Sequence, residues 1–517
     1  MSLKLMLKEA AERYGEKVAI VSGERRLSYA ELDEASNKVA NAFIKMGVNK
    51  GDRVAMLLSN SPEFVITYFG IAKTGAIAVP LDTKYKFEEL ASIFGDSLPK
   101  ILVTESPTLE PLIPVLPKFQ SIRHVIDLSS KCGGECLSFQ EIMATGSAQG
   151  VNAAPEPEDI AQIAYTSGPS LYPRGVMLSH RCLVTEAAIS GDGFRQTDRD
   201  IVPLFALPMY HAVGFVVVLL SSICRGSTVV MVPGLSIPTL LETIKKESGT
   251  ILIGVPFIFA LMVRMAEEYG VNHDLSSLRL CAGGGAPLAI DTSVRFKQHY
   301  GLDIAQFWGL TETTAHITCQ PIDGSGRLGS IGKALSGCEV KVVDENSRKL
   351  PANQTGELIV RGPVVMKGYY KNPCATAGII KNGWLYTGDI GKVDGDGNLF
   401  ITGRKKDIII VKGQNISPDD IESVLCRHPK VAEAAVIGIP DEMRGEVVGA
   451  VISPKIGEVI SEHEIKAFCL ERISNYKVPK QVFFLDSLPK TAAGKIDKEC
   501  IRVRLSVPSV FPKVAIS

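Results

Sequence analysis

The strongest constraint on the fold is an alternation of short apolar runs with amphipathic segments over residues 28–127. Residues 28–46 carry apolar side chains at three- and four-residue steps, which predicts a helix, and Ser28 followed by Glu31 is a capping-box start. The segments that continue the rhythm are 54–58, 62–74, 76–79 and 98–127. This β-α-β pattern predicts a parallel sheet with helices on its faces.

Size and composition narrow the class of protein. A chain of 517 residues is too long for one hydrophobic core, so we expect more than one domain. Its 56 basic and 56 acidic residues balance, so nothing directs it to nucleic acid. The eleven scattered cysteines predict free thiols in a reducing compartment, and Cys132 and Cys136 lack the spacing of a zinc site. The apolar run 212–224 is shorter than the roughly 20 residues of a spanning helix, which predicts a cytoplasmic protein without an integral membrane segment.

Residues 165–176, with the sequence YTSGPSLYPRGV, are predicted to be a strand that ends in a polar loop. Hydroxyls, backbone freedom and a fixed positive charge suit the binding of polyphosphate. These groups belong to Thr166, Ser167, Gly168, Ser170 and Arg174. The Walker spacing does not occur around this loop, and an ordinary surface turn is the alternative. We expect a helix over 178–190, whose N-terminus would favour bound phosphate.

A second informative string is FWGLTET at residues 307–313. Trp308 can stack on adenine, because its broad face loses little rotamer entropy. Thr311 can donate to a phosphate oxygen, and Glu312 can hold a hard cation that prefers oxygen ligands. An exposed glutamate after a turn is the alternative.

Three further strings contain glycines. LRLCAGGGAPL at 278–288 predicts a strand that runs into a turn where a flat group can approach the backbone. GWLYTGD at 383–389 ends in Asp389, whose carboxylate can bridge two ribose hydroxyls, with a plain aspartate turn as the alternative. GSGRLG at 324–329 matches the dinucleotide fingerprint, but the glycines that follow argue against a helix there, so we interpret it as a loop.

In order along the chain, these strings resemble the motifs of the adenylate-forming superfamily, which includes acyl-CoA synthetases, luciferases and peptide-synthetase adenylation domains. The family's phosphate string is usually YTSGTTGxPKGV, and this chain has Pro169, Leu171 and Arg174 in place of Thr, Gly and Lys. GRKKDIIIVKGQNI at 403–416 resembles the family's domain junction, and LPKTAAGKIDK at 488–498 resembles its invariant-lysine loop.

The resemblance implies an enzyme, an AMP-forming carboxylate–CoA ligase. ATP and a carboxylic acid would form an acyl-adenylate and pyrophosphate, with Mg²⁺ as cofactor, and coenzyme A would then take the acyl group as a thioester. It implies an α/β fold with a large N-terminal domain of layered α/β subdomains, residues 1–403, and a small mobile C-terminal α/β domain, residues 404–517. The acid itself, whether short, medium-chain, aromatic or alicyclic, is not specified.

Two other functions stay open. One is a nucleotide-binding homologue whose chemistry is impaired by the altered phosphate loop. The other is an adenylating enzyme with a different acceptor, such as a carrier-protein thiol. The expected partners are small molecules rather than nucleic acid, and a homodimer is left open.

The resemblance also assigns roles residue by residue. The catalytic residues it implies are Lys495, Glu312 and Thr311. Those for ATP or AMP are Thr166, Ser167, Gly168, Ser170, Arg174, Gly284, Gly285, Ala286, Pro287, Phe307, Trp308, Gly309, Asp389 and Arg404. Those for the acyl pocket are His211, Gly283, Leu310 and Thr314, although His211 could instead be a core histidine. Glu312 and Thr166 would bind the metal, Lys406 would be the hinge, and Lys412 and Gly413 would meet coenzyme A.

Overall fold

The chain is represented by a computed structural model, and the residues it describes fall into two units. The described residues are 1–85, 87–129, 136–166, 174–270, 274–407, 409–411, 414–416, 418–441, 445–473, 475–491 and 494–506. The first unit comprises Met1–Val340 and Val360–Leu385, and the second comprises Lys341–Ile359 and Tyr386–Ser517. The predicted mixture of helices and strands is confirmed in both units.

The largest sheet of the first unit is built around parallel strands, as the β-α-β rhythm predicted. Across the sheet its strands are Gly368–Tyr369, Arg174–Ser179, Ile160–Thr166, Ile77–Pro80, Arg53–Leu57, Ile101–Thr104, His124–Asp127 and Leu137–Ser138. The first three pair in antiparallel fashion and the others are parallel. Ser179 lies opposite Ile160 in this sheet. The helix predicted over 178–190 was therefore wrong at its first two residues, because strand pairing extends the backbone there and the helix begins at His180.

Two smaller sheets contain most of the other strands of the first unit. One has the order Ile201–Leu204, Thr228–Met231, Val18–Ser22 and Arg25–Ser28. The other has the order Ile251–Gly254, Leu280–Gly283, Ile304–Trp308, Thr318–Cys319 and Lys333–Ala334. The first three strands of this last sheet are parallel, so their carboxyl ends share one edge. Residues 324–329 form turns rather than a helix, as predicted.

The helices of the first unit follow local sequence signals closely. They are Leu3–Tyr14, Tyr29–Lys45, Pro62–Thr74, Phe87–Ser97, Ser106–Leu109, Phe139–Thr145, His180–Gly193, Ser221–Arg225, Ile237–Glu247, Pro256–Tyr269, Ile290–Tyr300 and Pro373–Ile379. Before Tyr29–Lys45, the Ser28 hydroxyl accepts from Glu31 N–H (3.2 Å) and the Glu31 carboxylate accepts from Ser28 N–H (2.7 Å), which is the predicted capping box. Short 3-10 turns lie at Leu116–Lys118 and Thr311–Thr313.

The apolar run 212–224 forms a π-helix, Val213–Leu220, that continues into the helix Ser221–Arg225. Within the part of the chain that the structure describes, no helix has both the length and the hydropathy needed to cross a membrane. A Cβ on Gly214 would lie 2.5 Å from the carbonyl oxygen of Pro208, so glycine permits the tight entry into this π-helix. Single π-helical turns often occur at functional sites.

The second unit has its own hydrophobic core. One of its sheets has the order Gln414–Ile416, Ile409–Val411, Gly445–Pro454 and Val431–Asp441, with Gln481–Phe484 beside Gly445–Pro454. Its helices are Pro418–Leu425, Glu462–Leu470 and Lys498–Ser506, and 3-10 turns lie at Lys405–Asp407 and Asn475–Lys477. The remaining strands are Glu339–Val343, Gly356–Arg361, Ile380–Lys381, Trp384–Val393 and Leu399–Arg404. The strand Ile409–Val411 precedes the helix Pro418–Leu425 in the chain.

Candidate active site

In the turn after strand Leu280–Gly283, the consecutive glycines Gly284 and Gly285 have different neighbours. A Cβ on Gly284 would lie 2.3 to 2.5 Å from ring atoms of Phe307, so this glycine lets the turn lie directly against the phenylalanine. A Cβ on Gly285 would lie 3.7 Å from Val255 and 3.9 Å from Val213. Gly285 has a φ of 79°, a backbone conformation that favours glycine. The turn therefore packs against an aromatic ring at Gly284 and lies near two aliphatic side chains at Gly285.

The strand that carries Phe307 ends in a turn with almost no space around its backbone. A Cβ on Gly309 would lie 1.6 Å from the carbonyl oxygen of Ala315, so only glycine fits. Phe307 and Trp308 are both buried. Because Trp308 is largely enclosed, its stacking on adenine stays a prediction.

The next residues are fixed by the segment that begins at Val364. Thr314 has a φ of 68°, an uncommon value for a residue other than glycine, and its hydroxyl donates to Val364 O (2.6 Å). Met366 N–H donates to Glu312 O (2.9 Å). Backbone strain of this kind, held by surrounding contacts, is typical of functional sites.

Glu312 is half-buried and has a hydrogen-bond partner that no sequence motif predicted. The Tyr369 hydroxyl donates to Glu312 Oε1 (2.8 Å). The guanidinium carbon of Arg174 lies 5.4 Å from the centroid of the Tyr369 ring. Burial raises the pKa of Tyr369 well above its usual value, and Glu312 raises it further, so the phenol keeps its proton. The fold thus brings Glu312 and Arg174, 138 positions apart in the sequence, to the same tyrosine.

The loop predicted to bind phosphate is described only at its two ends. Thr166 and Arg174 face each other at the end of an antiparallel pair of strands, where the Thr166 hydroxyl lies 3.4 Å from Arg174 O. Arg174 is exposed, so its guanidinium is accessible to a ligand. Ser167, Gly168 and Ser170 lie outside the described residues.

Of the residues expected at the acyl group, His211 lies shortly before the π-helix and Gly283 ends the strand before the glycine turn. His211 is exposed, and its ring centroid lies 4.7 Å from that of Tyr210, so the alternative of a core histidine is wrong. Burial raises the pKa of Tyr210 above its usual value, and a hydrogen bond to the buried Asp82 adds to the shift. Leu310 is half-buried.

A buried polar cluster packs against Phe307 through the ring of His316. Glu186 Oε1 accepts from His316 N–H (2.7 Å) and from the Ser190 hydroxyl (3.1 Å), and His316 stacks on Phe194 with a centroid distance of 4.9 Å. The His316 ring also lies 4.9 Å from the Phe307 ring. Burial raises the pKa of Glu186 to about 8 and lowers that of His316 to about 3. Sequence reasoning missed this cluster, although an acid on the apolar face of a helix is a usable signal.

In the second unit, three predicted residues form one charged group. Asp389 lies opposite Arg404 between antiparallel strands, and Arg404 Nε lies 3.0 Å from Asp389 Oδ1. Desolvation and the charge of Arg404 lower the pKa of Lys495, while Asp389 raises it. Lys495 is exposed, so solvent screens these effects. Lys495 follows Gly494 in a turn closed by Lys495 O and Thr491 N–H (2.7 Å).

The other predicted residues are placed less completely. Lys406 lies in the 3-10 turn Lys405–Asp407, and its role as a hinge stays a prediction. Lys412 and Gly413 lie outside the described residues. Ala286 is half-buried and Pro287 is exposed in the glycine turn.

The structure also bears on the oxidation state of the cysteines and on metal binding. Nine cysteines of the described residues are free thiols, whereas Cys136 is disulfide-bonded, so the expectation of free thiols throughout was wrong at that position. Cys132 lies outside the described residues. Within the described ranges, no group of three or more His, Cys, Asp or Glu side chains could hold a metal ion by itself. A cation at Glu312 would therefore need oxygen ligands from the nucleotide and water, which is the usual arrangement for Mg²⁺.

The fold has a glycine turn packed against an aromatic strand, an acid and a base that contact one tyrosine, and a second α/β unit that carries a lysine turn. These are the features expected of an enzyme of the adenylate-forming class. The family model of AMP-binding enzymes matches residues 7–370, and that of the AMP-binding enzyme C-terminal domain matches residues 420–495. The chain belongs to this family of AMP-binding enzymes.

Known relatives agree over nearly the whole chain. 4-Coumarate–CoA ligase 3 of Oryza sativa subsp. japonica is 34% identical over 512 residues, covering 95% of this chain and 90% of the relative. The long-chain-fatty-acid–CoA ligase of Escherichia coli O157:H7 is 33% identical over 539 residues, covering 97% and 94%. The crystal structure of ATP-bound MatB from Rhodopseudomonas palustris has a TM-score of 0.89 at 30% identity, covering 97% and 99%. The predicted enzyme class, an AMP-forming carboxylate–CoA ligase with a large N-terminal and a small C-terminal domain, is confirmed.

Proposed function

We propose that this ligase activates a carboxylic acid whose acyl group is mainly apolar. The observation that carries the proposal is the glycine turn, where a Cβ on Gly285 would meet Val213 and Val255 rather than Phe307. Aliphatic walls of this kind favour an alkyl or aryl group and disfavour a second carboxylate. The rice relative is named for 4-coumarate and the Escherichia coli relative for long-chain fatty acids, which supports an apolar acyl group here.

In the first step, the acid's carboxylate attacks the α-phosphate of ATP, and pyrophosphate leaves. Phe307, Trp308 and the glycine turn would hold adenine, and Asp389 would accept from the ribose hydroxyls, with Arg404 beside it. Lys495 would bring a positive charge to the carboxylate and phosphate oxygens, because charge builds up there in the transition state. Arg174, with Thr166 and the loop between them, would bind the leaving pyrophosphate.

Glu312 would hold Mg²⁺, with Thr311 and Thr166 as hydroxyl neighbours. Oε1 of the half-buried carboxylate accepts a hydrogen bond from Tyr369, and Oε2 would bind the cation. When bound, the ion neutralises charge on the nucleotide phosphates.

In the second step, coenzyme A supplies the thiol that displaces AMP and forms the thioester. The small domain, for which we keep the boundary at residues 403 and 404, would turn about Lys406 and bring Lys412 and Gly413 to the thiol. We also propose that the enzyme is located in the cytoplasm. The relatives are named as CoA ligases. They therefore favour neither a homologue with impaired chemistry nor an enzyme that uses another acceptor.

The test is acid-dependent exchange of labelled pyrophosphate into ATP, followed by thioester formation with coenzyme A. We expect exchange with octanoate, benzoate and 4-coumarate to exceed exchange with acetate and with succinate by at least tenfold. Equal exchange with succinate would contradict the apolar pocket. ATP binding without exchange for any acid would instead contradict the first step.

A further inference from the structure

Tyr369 is anchored by its backbone before its side chain reaches the site. It lies in the short strand Gly368–Tyr369, opposite Val176 of the strand that begins at Arg174. Its N–H donates to Thr376 Oγ1 (2.9 Å), and only 6% of the residue is exposed. The direction of the ring is therefore set by the sheet rather than by a mobile loop.

The ring and the hydroxyl of Tyr369 contact groups of opposite charge. The hydroxyl donates to Glu312 Oε1 (2.8 Å), a hydrogen bond strengthened by the negative charge of its acceptor. The ring lies 5.4 Å from the guanidinium carbon of Arg174, within the range of a cation–π contact. One side chain thus joins the acid expected to bind the cation to the base expected to bind phosphate.

The backbone around Tyr369 reinforces this link. Met366 N–H donates to Glu312 O (2.9 Å), and Tyr370 N–H donates to Gly175 O (2.7 Å). Residues on both sides of Tyr369 are therefore tied to the two segments that its side chain joins.

We propose that Tyr369 is a positioning residue that presets the Glu312 carboxylate and the Arg174 guanidinium for the phosphates of ATP and their divalent cation. The inference rests on the roles proposed above for Glu312 and Arg174. Fixing Glu312 Oε1 directs the second carboxylate oxygen, because a hydrogen bond to one oxygen restricts rotation of the whole group. Outer partners of this kind typically change metal affinity by 10- to 100-fold.

The test is the affinity of the full-length protein for Mn²⁺ in the presence of ATP and the absence of acid, measured by electron paramagnetic resonance. Tyr369→Phe removes the hydroxyl but keeps the ring beside Arg174. We expect it to weaken Mn²⁺ binding about tenfold and to leave the KM for the acid unchanged. Tyr370→Phe removes the hydroxyl of the neighbouring half-buried tyrosine and should leave Mn²⁺ affinity unchanged.

A double variant separates positioning from a general loss of stability. If Tyr369 acts through Glu312, then Tyr369→Phe combined with Glu312→Gln should bind Mn²⁺ no more weakly than Glu312→Gln alone. Additive losses in the double variant would overturn the inference, as would unchanged Mn²⁺ affinity in Tyr369→Phe while Glu312→Gln loses affinity. Unchanged Mn²⁺ affinity in Glu312→Gln would instead contradict the proposed role of Glu312 in metal binding. The inference about Tyr369, which depends on that role, would then fail as well.

Discussion

Replacing the buried Glu186 by glutamine should remove a pH-dependent loss of stability. Burial raises the pKa of this carboxyl to about 8 from a usual value of 4.5. The folded state therefore binds the proton more tightly than the unfolded state, and stability is lost as the pH rises from about 4.5 towards 8. Glutamine cannot ionise, and its amide oxygen can still accept from His316 N–H, so the variant should lack this loss.

The range from pH 6.5 to 8 isolates the effect. Burial lowers the pKa of His316 to about 3, so this ring is neutral in the folded state throughout the range, and its titration in the unfolded state is common to the wild type and the variant. The pKa of the neighbouring Cys338 is raised to about 12, first by burial and then by Glu186, so its thiol stays protonated in the folded state. Integrated between these pH values, the difference in bound protons between the folded and unfolded states costs the wild type, but not the variant, on the order of 1–2 kcal/mol. For a unit of several hundred residues, this corresponds to ~2 °C in Tm.

The assay is thermal unfolding of the wild type and Glu186→Gln at closely spaced pH values. We expect the Tm of Glu186→Gln minus that of the wild type to rise by ~2 °C between pH 6.5 and 8. Glu34→Gln, at an exposed position of helix Tyr29–Lys45, is the matched control and should follow the wild type at every pH. Parallel curves for the wild type and Glu186→Gln would refute the argument that the buried carboxyl carries its proton in the folded state.

Three further changes test the site. Lys495→Ala should slow adenylate formation by roughly 10²–10³-fold, the effect of losing one preorganised charge, and wild-type rates of pyrophosphate exchange would contradict the role of this lysine. Lys406→Pro should spare exchange but slow thioester formation, since proline fixes φ at the expected pivot; equal losses in both steps would argue against a hinge there. Gly309→Ala should abolish exchange and lower Tm, because its Cβ would overlap Ala315 O, whereas Gly378→Ala has no atom within 4 Å of the new Cβ and should behave as the wild type.

Elements with strong local signals were predictable from the sequence. Helix Tyr29–Lys45 has a capping box, and helix Pro62–Thr74 has proline at its start and glycine directly after its end, so both could be assigned from neighbouring residues. Leu178 was assigned wrongly because its strand is defined by pairing with Ile160–Thr166, a contact that no local pattern encodes.

The same distinction applies to the site. Asp389 and Arg404 could be proposed from motifs, and the structure places them in one ion pair. Tyr369 could not, because its contact with Glu312 joins residues 57 positions apart. Glu186 was missed for a similar reason, since its main partner, His316, lies 130 positions away.

The different neighbours of the two glycines have a consequence for how the acid specificity of such an enzyme can change. Gly284 lies against Phe307, whereas Gly285 faces Val213 and Val255, which belong to separate segments of the chain. We therefore expect exchanges at the two valines to reshape the proposed pocket for the acid while the contact between Gly284 and Phe307 is preserved. On this proposal, selectivity for the acid can be changed separately from the consumption of ATP, and a small library at positions 213 and 255 is a direct way to sample new acids.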